Sequence, residues 1–153
     1  WNAQNRFMKT MQCCHKDADM YESYTRQSLP SKEYRELLGT AICVFNSNNA
    51  FIIENVLRYN TDITWYELMN KTSGELNKYI KCMPCCIKNL FEELVDMRNR
   101  IIHSFQCTKE DGKQILRTKD KDDYQYDIDK EYLYKFIKKN EQLSDMLHDF
   151  RGF

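Results

Sequence analysis

The chain has 153 residues but only four glycines and two prolines, which strands and tight turns need most, so a β-sandwich or barrel is excluded as the main architecture. Lysine plus arginine equals aspartate plus glutamate, 23 each, and the formal net charge is zero. That balance gives no support for a wholesale electrostatic grip on nucleic acid and leaves room for a local basic patch. One all-α domain over residues 1–153 is expected.

In chain order, the first helical pattern runs over about residues 2–27, with Phe7, Met8, Met11, Cys14, Ala18, Tyr21 and Tyr24 at helical intervals. Ser28-Leu29-Pro30-Ser31 interrupts it, and Ser31 suits an N-cap. A second helix over about 32–59 shows Tyr34, Leu38, Ile42 (or Ala41), Phe45, Ile52, Val56 and Tyr59 along one face, with Asn49 inside that stripe. An amide there either meets a core partner or lines a cleft, and Asn49 is kept as a candidate substrate contact. Short helices are expected at Trp65 to about Asn70 and at Glu75 to Lys81, after the turn and cap signals of 61–64 and 72–74. Pro84 opens a helix over about 84–104.

Beyond it, Lys109-Glu110-Asp111-Gly112 is a turn signal between 105–108 and 114–117, which predicts a short hairpin near 105–117. Tyr124 and Tyr126 alternate with Gln125 and Asp127, the pattern of an edge strand. A last helix over about 130–149, capped by Asp127 or Asp129, turns Tyr132, Leu133, Phe136, Ile137, Leu143 and Leu147 inward. The sum is a bundle of about five helices with one β excursion.

The strongly apolar runs, Ala41 to Phe45 and Ala50 to Ile53, fall far short of the roughly 20 residues that cross a bilayer. No charged-then-apolar leader opens the sequence, so a cytoplasmic location without membrane contact is expected. Seven cysteines, an odd number, read as reduced thiols rather than a disulfide framework. Cys82-Met83-Pro84-Cys85-Cys86 contains a C-x-x-C, but zinc needs two further ligands, and Cys13-Cys14-His15 lies far away in sequence. No metal and no cofactor are expected. Cys85 and Cys86 read as buried, inert thiols, and Cys43, between Ile42 and Val44, as core.

Chemistry concentrates in the helix over 84–104. Leu90, Leu94, Met97 and Ile101 form a core seam, while Glu92, Asp96, Asn99 and His103 form a second, wholly polar stripe. Asn99 and His103 stand one turn apart. Histidine changes charge nearest neutrality, so His103 is a candidate general base or acid, and Arg98 or Arg100 a phosphate ligand. Arg98 lies five residues before His103, about 140° around an ideal helix. One helix therefore does not assemble this site alone.

Arg98-Asn99-Arg100-Ile101-Ile102-His103 resembles the R-N-x-x-x-H signature of the HEPN superfamily. Thr72-Ser73-Gly74-Glu75-Leu76 ahead of it and His103-Ser104-Phe105 at its end match the surroundings of that signature in bacterial, toxin-like members. The resemblance implies a helical bundle acting as a homodimeric, metal-independent endoribonuclease, with two signature helices facing across a cleft. It implies that His103 acts as base on the ribose 2′-hydroxyl or as acid on the leaving 5′-oxygen. Arg98 would stabilise charge developing on phosphorus, and Asn99 would orient His103 or the phosphate. Arg100 and Asn49 are candidate RNA contacts. Toxin, stress or antiviral-defence settings, with an antitoxin or regulatory partner, follow from the same resemblance. Some relatives carry a modifiable tyrosine where this chain has Phe105, so control by that route is not expected here. Other members are non-catalytic dimerisation, nucleotide-binding or partner-binding modules, and that is the alternative. Arg117, Lys119, Lys138 and Lys139 would add grip on RNA if they converged beside His103.

Overall fold

The computed structural model describes residues 22–152. Five α-helices and one three-stranded antiparallel sheet make up these residues: α1 (Lys32–Tyr59), α2 (Trp65–Met69), α3 (Ser73–Leu76), α4 (Cys85–Ile102), β1 (Phe105–Thr108), β2 (Gln114–Lys119), β3 (Gln125–Ile128) and α5 (Lys130–Arg151). Most of the helix expected over 2–27 lies outside the described residues. Its last part, 22–24, forms a 3-10 turn, and residues 25–30 are irregular.

Local chemistry sets the boundaries. The Ser31 hydroxyl accepts from the Tyr34 amide, and the Asp129 carboxylate from the Tyr132 amide, so the two longest helices begin on a side-chain cap. Thr64 with Glu67, and Thr72 with Glu75, form reciprocal capping boxes that start α2 and α3. Those hydrogen bonds hold the Glu67 and Glu75 carboxyls below the usual range. The helix expected over 75–81 is broken instead. α3 ends at Leu76, and a 3-10 turn at Ile80–Cys82 leads into extended Met83 and Pro84. Pro84 accounts for the last of these, since it drives Met83, the residue before it, out of the helical region.

α1 and α5 run side by side in the same direction, as the pairs Glu33–Lys130, Asn48–Asn140 and Glu54–Arg151 show. α4 runs opposite to α5, with Glu93 beside Lys139 and the Met97 carbonyl accepting from the Tyr132 hydroxyl at 3.1 Å. Phe45 of α1 stands where the three meet, its ring 6.3 Å from Phe91 of α4 and 5.9 Å from Phe136 of α5. Ile52, Leu94, Leu133 and Leu143 are fully enclosed around it. Each such side chain contributes about 1.5–3 kcal/mol by leaving water.

The seam of α1 follows the expected stripe at Tyr34, Ala41, Phe45, Ile52 and Val56 and departs from it elsewhere. Ala41, Phe45, Asn48, Ile52 and Asn55 are buried, whereas Ile42 and Asn49 are only partly covered and Tyr59 is exposed. Asn48, not Asn49, is the core amide: its Nδ2 donates to the Asn140 backbone carbonyl at 2.7 Å and to Asn140 Oδ1 at 3.2 Å. Cys43 is exposed rather than core, because it stands about 200° around the helix from both Ala41 and Phe45. Cys82, Cys85 and Cys86 are likewise exposed, because Ile80, Met83 and Ile87 take the inward positions of this segment.

The expected hairpin forms, with Phe105 opposite Arg117 and Thr108 opposite Gln114. The edge strand expected around 124–127 joins it as β3, so the chain is mostly helical with a small sheet in the order β1-β2-β3 rather than all-α. This sheet closes one end of the bundle. Ile128 is fully buried, and its carbonyl accepts from the Tyr34 hydroxyl at 2.6 Å. No described helix is long and apolar enough to cross a membrane.

Candidate functional site

The core seam of α4 places the polar stripe by elimination. With Leu90, Leu94, Met97 and Ile101 turned inward, Asp96, Asn99 and His103 must face away from the bundle axis. They meet the end of β2 there. Asp96, Asn99, Arg100, His103, Thr118 and Lys119 line a polar cleft of about 320 Å³. His103 is the C-cap of α4, its backbone amide donating to the Asn99 carbonyl at 2.9 Å, and its ring is exposed. The histidine is thus fixed at its backbone and open at its ring.

Arg100 ties the two walls together, with Nη1 donating to the Lys119 carbonyl at 2.5 Å. Lys119 Nζ pairs with Asp123 in the following turn, and that contact holds the Asp123 carboxyl below its usual range. Tyr132 lies behind the helix; burial foremost pushes its hydroxyl well above the ordinary tyrosine range, while Arg100 pulls the other way. The cleft therefore offers one imidazole, one amide, one hydroxyl, two cations and one carboxylate. That set can hold a phosphodiester and move a proton.

Arg98 is elsewhere. Its Nη2 donates to the Ser73 hydroxyl at 2.8 Å, and its guanidinium lies 5.3 Å from the centroid of the Phe45 ring. Ser73 is itself buried, so α3 serves as a bracket for this arginine. Asn49 belongs to that side too, one helical turn beyond Phe45, and its buried Oδ1 has no hydrogen-bond partner. Of the residues singled out in the sequence, the fold brings Asn99, Arg100 and His103 into one cleft. It leaves Arg98 and Asn49 outside that cleft.

Of the four basic residues considered for RNA grip, only Lys119 reaches the cleft. Arg117 Nε is bound to Asp127 Oδ1 at 2.7 Å on the sheet, an ion pair that holds the Asp127 carboxyl low. Lys138 and Lys139 line a separate groove with Tyr134, Lys135 and Gln142 on α5. Thr118 was missed in the sequence, because only the register of the hairpin puts a β2 hydroxyl opposite His103. No group of three or more metal-binding side chains converges among the described residues, and Cys13, Cys14 and His15 lie outside them. Met83 and Pro84 are both extended, which carries Cys82 away from Cys85 rather than folding the pair together.

Comparison with protein-family models, with curated proteins and with solved structures finds no match to this chain.

Proposed function

We propose that the chain is a metal-independent endoribonuclease of the HEPN type, cleaving RNA by attack of a ribose 2′-hydroxyl on the adjacent phosphorus. The observation that carries this reading is the cleft in which His103 and Asn99 meet the cations Arg100 and Lys119. His103 takes the proton from the 2′-hydroxyl as the new O2′–P bond forms. The P–O5′ bond breaks, and the 5′-oxygen takes a proton from an imidazolium. Arg100 and Lys119 neutralise the phosphate, and Asn99 orients it or the ring. The products are a 2′,3′-cyclic phosphate and a 5′-hydroxyl. Arg98 enters from a second copy of the chain, leaving there the Ser73 and Phe45 contacts that hold it on the far side of α4 within a single chain. A cytoplasmic toxin or antiviral-defence setting, with an antitoxin or regulatory protein as partner, belongs to the same proposal.

The test is cleavage of end-labelled RNA in EDTA, with the termini identified chemically. Chains carrying Arg98→Ala and His103→Ala are each expected to be inactive and to regain part of the activity on mixing, because the mixed pair holds one complete site. Intact RNA with the wild type overturns the ribonuclease. Failure of the mixture to recover activity overturns the shared site. One observation favours the alternative of a non-catalytic binding or dimerisation module. The Arg98 side chain already has a structural task against Ser73 and Phe45 within a single chain.

A further inference from the structure

We infer that Phe105 is a stacking platform for the nucleobase next to the phosphate held in the His103 cleft, so that the substrate is unpaired RNA; this rests on the ribonuclease reading above. The core phenylalanines Phe45, Phe91 and Phe136 are at most 1% exposed, whereas the Phe105 ring is 49% exposed and Ile102 beside it 52%. Ile102 directly precedes His103, and Phe105 follows it by two residues. Two peptide units separate His103 from Phe105, which keeps their Cα atoms within about 7 Å of each other. The two backbones are therefore no farther apart than about one nucleotide.

The sheet fixes what stands next to the ring. Phe105 is directly opposite Arg117, so both side chains share one face, with Cβ atoms about 4.5–5.5 Å apart. Arg117 is immobilised by Asp127, and Lys119, two residues on from Arg117, lines the cleft. A row of Phe105, Arg117 and Lys119 thus leads from an apolar ring to the phosphate cations. Among the described residues β1 is an edge strand, with no further strand on its outer side. An aromatic face beside a cation and a phosphate site is the arrangement on which unpaired bases stack, and it is sequence-tolerant because every base has a π-face. A base inside a duplex is already stacked on its neighbours and does not present that face.

The test uses the full chain and two probes, a short unpaired oligoribonucleotide and the same strand fully 2′-O-methylated, which removes the attacking hydroxyl. Phe105→Ala is expected to raise KM for the unpaired strand about five-fold or more with a smaller change in kcat, and Phe105→Trp to preserve KM. The methylated strand should quench the fluorescence of Phe105→Trp beyond that of the wild type, whose own tryptophans are Trp1 and Trp65. Annealing the complementary strand should abolish both quenching and cleavage. Cleavage by the wild type with KM unchanged in Phe105→Ala overturns the platform and leaves the ribonuclease standing. Quenching by the methylated strand with no cleavage of the unmodified one overturns the ribonuclease and leaves the platform standing. A changed oligomeric state in Phe105→Ala, with KM unchanged, assigns the ring to a contact between chains and also overturns the platform.

Discussion

The two sides of α4 near its C-terminus share six consecutive residues of sequence and almost nothing else. On one side Arg98 is half-buried and held by a bracket: the Ser73 hydroxyl from α3 and the Phe45 face from α1. On the other, Asn99, Arg100 and His103 open onto the end of β2 with an exposed ring at the helix terminus. A motif that is contiguous in sequence is thus divided by the helical twist between a packed face and an open one. Residues on the open face are available for chemistry at little structural cost, while those on the packed face carry stability whatever else they do.

That division is tested most severely at His103. His103→Ala is expected to lower RNA cleavage by about 10²–10⁴, the usual cost of losing one well-placed acid–base group. Its melting temperature should stay nearly that of the wild type, since the ring is exposed and has no buried partner to orphan. A large loss of stability in this variant would break the comparison, by showing the open face to be structural as well.

Arg98→Ala is the converse and smaller effect. Removing the guanidinium abolishes a hydrogen bond to a buried hydroxyl and a cation over an aromatic face, together about 1–2 kcal/mol in chemical denaturation. Ser73→Ala should cost about half as much, because the contact with Phe45 survives it. If Arg98→Ala melts as the wild type does, the bracket is not anchoring and the packed face has been misjudged.

Much of this contrast was legible before the fold was known. The 140° between Arg98 and His103 follows from helical geometry alone, and the seam of Leu90, Leu94, Met97 and Ile101 fixed which stripe of α4 would face out. The caps at Ser31 and Asp129 are local chemistry, which is why α1 and α5 begin where their sequences say. What could not be read is whatever a distant partner decides. The run from Ala41 to Phe45 is apolar throughout, so its phase, and with it the exposure of Cys43, is set by contact with α5. The exchange of Asn49 for Asn48 as the core amide has the same cause, because Asn140 lies 92 residues away. Thr118 entered the cleft through hairpin register, and the bracket on Arg98 depends on Ser73, which stands 25 residues before it.

A further effect is a pH slope that reads the joint between α1 and the sheet while leaving the open face aside. Tyr34 is 5% exposed, and burial foremost, with the Asp129 and Asp127 carboxylates adding, pushes its hydroxyl up to about 12 from the ordinary 10.0. Below pH 10 both folded and unfolded chains keep this proton, and its contribution is complete. Between about 10 and 12 the unfolded chain gives the proton up while the folded chain retains it, so stability falls as pH rises. Tyr34→Phe should lower stability at neutral pH by about 1 kcal/mol, because the Ile128 carbonyl loses its donor. The same variant should flatten the alkaline slope, leaving the part that Tyr132 contributes on α5. Equal slopes in Tyr34→Phe and the wild type, measured by urea denaturation across pH 9–12, would show that the hydroxyl is not held neutral. The joint between the sheet and α1, which seats β2 against His103, would then be looser than its 2.6 Å hydrogen bond implies.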